Sequence, residues 1–296
     1  MAGGPGDWQA AAAAAIGAAS GTPSSGVRWS SRGGSSLNAT WRLDADASRF
    51  FVKVNAAANA AMFEAEAAGL AEIAAAAAVR VPRPVATGVA GSASFIALEW
   101  LDFADGGRDA ALGRALAALH RRTAPAHGWS RDNTIGTTPQ DNTRTADWAQ
   151  FFANRRIAPQ LALAARNGHA ELQRNGDALL AAIPLLLADH APAPSLLHGD
   201  LWSGNAGRLA DGSPVVFDPA VYYGDRETDL AMCALFGGFG ADFFAAYDEA
   251  WPLPPGHALR RELYSLYHVL NHANLFGGGY VAQAAGMIGR LLAAAR

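Results

Sequence analysis

The stretch from His198 to Ala220 reads HGDLWSGNAGRLADGSPVVFDPA, and it dictates what the rest of the chain has to build around it. Asn205 lies five residues after Asp200, and Asp218 closes the apolar run Val215, Val216, Phe217. Glycines and turn formers predict a loop around Asp200 and Asn205, and the apolar run predicts a short strand that delivers Asp218. These residue types at these intervals are what phosphoryl transfer needs: Asp200 to accept a hydroxyl proton, Asn205 and Asp218 to hold magnesium against the phosphates of ATP. Asp, Asn, Ser and Gly also populate turns for backbone reasons alone, so the context must come from elsewhere in the chain.

That context begins with Lys53, the one lysine in a chain whose other basic side chains, apart from histidine, are all arginine. A compact ammonium kept at a single place points to a site that a wide, planar guanidinium would fit badly. The alternation Arg49-Phe50-Phe51-Val52-Lys53-Val54 predicts a strand, from which Lys53 would reach the α and β phosphates. The Ala-rich segment 56–78 predicts a helix carrying Glu64, Glu66 and Glu72. Glu66 is the expected partner of Lys53, followed at helical spacing by Leu70 and Ile73, with Glu64 the alternative.

At 296 residues the chain exceeds the usual single-core size and predicts two lobes, and a hydrophobic fraction of 51% supplies ample core. A formal charge of −3 gives no electrostatic footprint for nucleic acid or an anionic membrane surface, so neither is expected as a partner. The single cysteine, Cys233, leaves no intramolecular disulfide and fits a cytoplasmic, reducing setting. The Ala-rich run 9–19 is too short and too weakly apolar to span a membrane and predicts a soluble helix opened by Asp7.

From Val27 to Val54 the pattern is strand, loop, strand, turn, strand. Gly33, Gly34 and Ser35, within the loop 31–36, are placed to cover phosphates with backbone amides. A strand at 94–98 runs into Glu99, Trp100 and Leu101, the expected hinge against adenine. A helix is predicted at 109–122, and the polar stretch 123–147 reads as an ordered cover because Trp129, Asn133, Ile135 and Gln140 are scattered through it. Helices are expected at 148–166 and 171–190, with four more after Asp218. Asp229 follows Asp218 by 11 positions, too few for a long regulatory loop, and is expected to cap the next helix and brace the catalytic loop. His120 and His198 read as structural.

The fold class that follows is α+β: a two-lobed, protein-kinase-like fold with a nucleotide-binding lobe over residues 1–101, antiparallel sheet plus helix, and a mainly helical catalytic lobe over 102–296. The segments FFVKVN, MFEAEAAGL, VRVPRP, DNTIGTTPQDN, WAQFFANRRIAPQL, LLHGDLWSGN, VVFDPAVYYGDRETDLAM and LNHANLFGGGY resemble the fructosamine kinase (ketosamine 3-kinase) family, within the aminoglycoside-phosphotransferase-like kinases. The resemblance covers nearly the whole chain.

It implies ATP- and magnesium-dependent phosphorylation of the 3-hydroxyl of ketosamines, small or protein-bound, with loss of the sugar afterwards. It makes Asp200 the base, Asn205 and Asp218 the magnesium ligands, and Lys53 with Glu66 the phosphate-positioning pair. Trp202 and the 129–142 loop, with Trp129, Asn133 and Gln140, become sugar contacts. Many members carry a cysteine in the nucleotide-covering loop, associated with redox-sensitive pairing of subunits; Ser35 stands there, so thiol control is not expected. The competing readings are a related kinase of aminoglycosides, choline or another sugar, and a non-catalytic nucleotide-binding module. Trp202 and DNTIGTTPQDN tell against the first, and the retained Lys, base and metal ligands against the second.

Overall fold

A computed structural model of the chain describes residues 7–34, 37–106 and 108–296. Its first part is a five-stranded antiparallel sheet in the order β1-β2-β3-β5-β4, from β1 (Arg28–Gly34), β2 (Ala39–Ala45), β3 (Ser48–Ala56), β4 (Pro84–Ala90) and β5 (Ala93–Glu99). Two helices, α1 (Asp7–Ser20) and α2 (Ala60–Ala75), cover its two faces. Successive strand residues point to opposite faces. Phe50 and Val52 of β3, with Phe95 and Ala97 of β5, pack with Ala12 and Ile16 of α1. Ile96 and Leu98 join Phe63, Leu70 and Ile73 of α2. The same alternation turns Phe51 and Lys53 toward the cleft.

Beyond the sheet come β6 (Phe103–Ala104), α3 (Ala110–His120), the hairpin β7 (Asn133–Ile135) and β8 (Thr138–Gln140), α4 (Trp148–Phe152), α5 (Ala158–Arg166), α6 (Ala170–Leu186) and β9 (Ser195–Leu197). The hairpin β10 (Ala206–Leu209) and β11 (Pro214–Val216), β12 (Tyr222–Gly224), and helices α7 (Glu227–Leu235), α8 (Ala241–Ala250), α9 (His257–Phe276) and α10 (Gly279–Ala294) complete the chain. The predicted four helices after Asp218 are these last four. No helix among the described residues is long and apolar enough to cross a membrane. Burial pushes the Cys233 thiol well up, which keeps it unreactive.

Several expectations shift. β4 supplies a strand that the sequence pattern does not announce, because its small, mixed residues carry no clear alternation. The helix expected at 148–166 is interrupted by a π-helical turn at Ala153–Ile157. Asp229 does not cap α7, which begins two residues earlier; the Asp225 carboxylate accepts from Glu227 N at 3.0 Å instead.

Helix α2 is fastened to the helical part at three places. Tyr223 Oη donates to Glu72 Oε1 at 2.6 Å, and Arg131 Nη1 donates to the Glu64 carbonyl at 3.1 Å. Between them Gly69 lies against Val221, where a β-carbon would stand 3.1 Å from Val221 Cγ2.

Candidate active site

The loop between β9 and β10 carries Asp200, Trp202 and Asn205, and the end of β11 carries Asp218. Antiparallel pairing of Ala206 with Val216 sets Asn205 opposite Phe217, whose N–H donates to the Asn205 carbonyl at 3.0 Å. This register brings the candidate base and both metal-ligand candidates together. Gly199 has φ +82, and a β-carbon there would stand 2.1 Å from the Ala220 carbonyl oxygen, so the turn before Asp200 admits only glycine. Asp218 adopts φ 58, a left-handed conformation that Asp tolerates better than most residues.

Lys53 Nζ lies 2.7 Å from Glu66 Oε1 and 2.5 Å from Asp218 Oδ1. Burial pulls the ammonium toward neutrality, but Asp218 and then Glu66 outweigh it and raise the Lys53 pKa above its usual value. Burial raises that of Glu66, against the pull of Lys53. Asp200 is pushed up to about 7, by burial first and then by the charges of Asp218 and Asp229.

The Asn205 amide donates to the Asp200 carbonyl at 2.9 Å and approaches the Asp218 carbonyl at 3.5 Å. Among the described residues no donor takes Asn205 Oδ1 or Asp218 Oδ2. Two neighbouring hard oxygen donors, one charged, fit magnesium.

Buried Asp229 holds the loop from behind. Its Oδ2 accepts from His198 N at 2.7 Å, its Oδ1 from Gly199 N at 2.9 Å, and Oδ2 also lies 3.1 Å from His120 Nε2. His198 Nε2 meets the Phe217 carbonyl at 3.0 Å. Both histidines are therefore structural.

Lys53, Glu66, Asn133, Asp200, Trp202, Asn205 and Asp218 line one cavity of about 210 Å³. Trp202 is 42% exposed, its indole laid over Gly204, where a β-carbon would come within 2.1 Å of the ring. The expected sugar contacts divide. Asn133 reaches the cavity, whereas Trp129 and Gln140 do not. Trp129 is buried in the core, and Gln140 bonds Asn133 and Tyr267, because both side chains point back into the helical part.

A second cavity, about 440 Å³, adjoins the first at Asp218 and is bounded by Glu99, Trp100 and Leu101 with an apolar floor of Phe51, Leu98, Phe103 and Phe217. The Glu99 carboxylate is occupied by Arg80 and by Arg83 N, and Glu99 N and Trp100 N are both bonded. Leu101 N takes no partner among the described residues and lies in the wall of this cavity. The Trp100 ring lies beneath the guanidiniums of Arg32, Arg42 and Arg49, at 5.2, 5.2 and 5.9 Å. Gly33 and Gly34 end β1 rather than forming a separate loop, Gly33 with φ +85; Ser35 lies outside the described residues. Sequence reasoning missed Arg32, Phe103 and Phe217 in this wall. Only long-range pairing of β6 with β10 brings Phe103 there.

The sequence profile of the fructosamine kinase family matches residues 8–294. The chain belongs to that family. It is 47% identical over 262 residues to a probable ketoamine kinase of Synechocystis, covering 88% of each chain. Over 266 residues it is 43% identical to a chloroplastic protein-ribulosamine 3-kinase of Oryza sativa, covering 88% of this chain and 77% of that one. A crystal structure from Haemophilus somnus, provisionally named a fructosamine-3-kinase, superposes with a TM-score of 0.87 at 28% identity over 95% of this chain and 96% of that one. An aminoglycoside phosphotransferase shares the two-lobed kinase-like fold at TM-score 0.59 and 16% identity, covering 90% of this chain and 94% of that one.

Proposed function

We propose that this family member transfers the γ-phosphoryl group of ATP to the 3-hydroxyl of a ketosamine, on a small amine or a protein lysine, after which the sugar is eliminated and the amine restored. The observation that carries this reading is the convergence of Asp200, Asn205, Asp218 and the Lys53–Glu66 pair on one cavity beside an apolar hinge pocket. Phe51, Leu98 and Phe217 take the adenine, with Leu101 N as donor. Lys53, held by Glu66, neutralises phosphate charge. Asn205 and Asp218 hold magnesium, which when bound offsets charge on the transferring group. Asp200 orients the acceptor hydroxyl and takes its proton, while Trp202 offers a broad face to sugar C–H groups and an indole N–H to a hydroxyl. With Asp229 only 11 positions after Asp218, the site is assembled without a phosphorylated loop.

The test is to incubate the protein with ATP, magnesium and, in turn, ribulosamine, erythrulosamine and fructosamine, following ADP release and the sugar phosphate by ³¹P NMR. At least one substrate is expected to turn over, and Asp200→Asn to lower kcat by about 10² to 10⁴ while nucleotide binding persists. Nucleotide binding without phosphorylation of any of the three would overturn the reading.

A further inference from the structure

Arg156 is fully buried and has no carboxylate partner among the described residues. Its Nη1 donates to the carbonyls of Asp141 at 2.9 Å and Arg155 at 3.0 Å, its Nη2 donates to Asn142 Oδ1 at 2.6 Å, and its Nε has no partner. The planar head lies 4.1 Å from the Tyr222 ring centroid and 4.7 Å from that of Phe151. A buried cation met by carbonyls, an amide, the Tyr222 hydroxyl and two aromatic faces, with no ion pair among the described residues, is costly. The π-helical turn at Ala153–Ile157 aims it inward, and such turns recur where a side chain must be placed at the expense of regular helix.

What the cation holds leads to the active site. Asn142, its oxygen fixed by Arg156, donates through Nδ2 to Asn133 Oδ1 at 2.9 Å and to the Arg131 carbonyl at 3.1 Å. Asn133 Oδ1 also accepts from Gln140 Nε2 at 3.1 Å, and Tyr267 Oη donates to Gln140 Oε1 at 2.8 Å. Asn133 Nδ2 donates to the Val221 carbonyl at 2.8 Å, so every amide in the chain has one orientation. The β7–β8 hairpin, held this way, presents Asn133, Thr134 and Gly136 to the cavity that contains Asp200 and Trp202.

We propose that Arg156 is a positioning residue for the acceptor: through Asn142 and Asn133 it sets the wall of the cavity against which the sugar is held, opposite the nucleotide. This rests on the ketosamine reading above. Arg156→Lys keeps the charge but loses the fork and the stacking. Asn142→Asp is the sharper variant. Its carboxylate gives the guanidinium the partner it lacks, yet sets an oxygen against Asn133 Oδ1 and the Arg131 carbonyl where a donor stood.

The experiment measures KM for the ketosamine and for ATP, melting temperature, and hydrogen exchange of the 131–142 segment, in both variants and the wild type. The expected result is a rise of about tenfold or more in acceptor KM, the effect of one buried hydrogen bond lost. KM for ATP should stay within about twofold, exchange in 131–142 should be faster, and Asn142→Asp should lose little or no melting temperature. If both KM values move alike, or acceptor KM stays within about twofold in a folded Asn142→Asp variant, Arg156 is only part of the core and the inference fails. A wild type inactive on all ketosamines overturns the functional reading instead. In that event unchanged exchange in 131–142 refutes the positioning chain by itself, and faster exchange upholds it.

Discussion

Asp229→Asn tests whether the catalytic loop is held from behind. The carboxylate, 1% exposed, accepts from the backbone N–H groups of His198 and Gly199 at 2.7 and 2.9 Å and meets His120 at 3.1 Å. An amide of the same shape keeps one accepting oxygen and turns an NH₂ toward the other backbone N–H. One charge-assisted hydrogen bond is lost, about 1.5–3 kcal/mol, and a buried donor is left unsatisfied, about 1–3 kcal/mol. Together they remove roughly 3–5 kcal/mol, which for a chain of this size lowers the melting temperature by about 6–10 °C. The groups released are the two residues before Asp200, so misplacement of the base should cost about 10²-fold in kcat. KM for ATP should hardly change, because Lys53, Glu66 and the hinge make no contact with Asp229. Thermal denaturation and steady-state kinetics with varied ATP and ketosamine measure all three quantities. A variant that melts within about 2 °C of wild type, with kcat within about threefold, would refute the bracing role.

Lys53→Arg should fold yet use ATP poorly, since an ammonium 2.7 Å from Glu66 and 2.5 Å from Asp218 leaves no room for a planar head; normal kcat/KM for ATP would refute this. Trp202→Leu should raise the acceptor KM well above any change in KM for ATP, with little loss of melting temperature, because the ring is 42% exposed at the cavity mouth; a drop in stability with both KM values intact would make it a packing residue. Burial lowers the pKa of His127 to about 4 and of His268 to about 3, so both are neutral in the fold, whereas the unfolded chain protonates them near 6.5. Their contribution is complete above about pH 6.5 and is lost as pH falls from there toward the folded values, by about 2 kcal/mol each at pH 5. Urea midpoints should therefore fall between pH 7.5 and 5.0, and His127→Phe should remove a visible part of that fall; an identical pH dependence in the variant would count against it.

The parts of the site legible in the sequence were those whose chemistry is local. Asp200, Asn205 and Asp218 declare themselves by spacing, and Lys53 by being alone among arginines. The partner of Lys53 was legible too, because helical periodicity makes Leu70 and Ile73 inward-facing and carries Glu66 with them. The interior of the polar stretch was harder. Trp129, Asn133 and Gln140 look alike as isolated residues in a loop, but burial separates them: Trp129 finds the core, Gln140 finds Tyr267 across 127 positions, and Asn133 alone reaches the cavity. Arg156 was invisible for the same reason. A guanidinium in a helical pattern reads as solvated until the π-helical turn rotates it inward. Strand β4 escaped because residues such as Ala86, Thr87 and Gly88 carry little hydrophobic signal, and only pairing with β5 orders them.

The anchoring of α2 has a consequence for anyone seeking an inhibitor. With Glu72 on Tyr223, the Glu64 carbonyl on Arg131 and Gly69 seated on Val221, an outward swing of the helix would have to break all three contacts. A compound that works by wedging such a helix away from its sheet would have that cost to meet. The arginine-roofed Trp100, in the wall of the apolar cavity, offers such a compound a different place to bind.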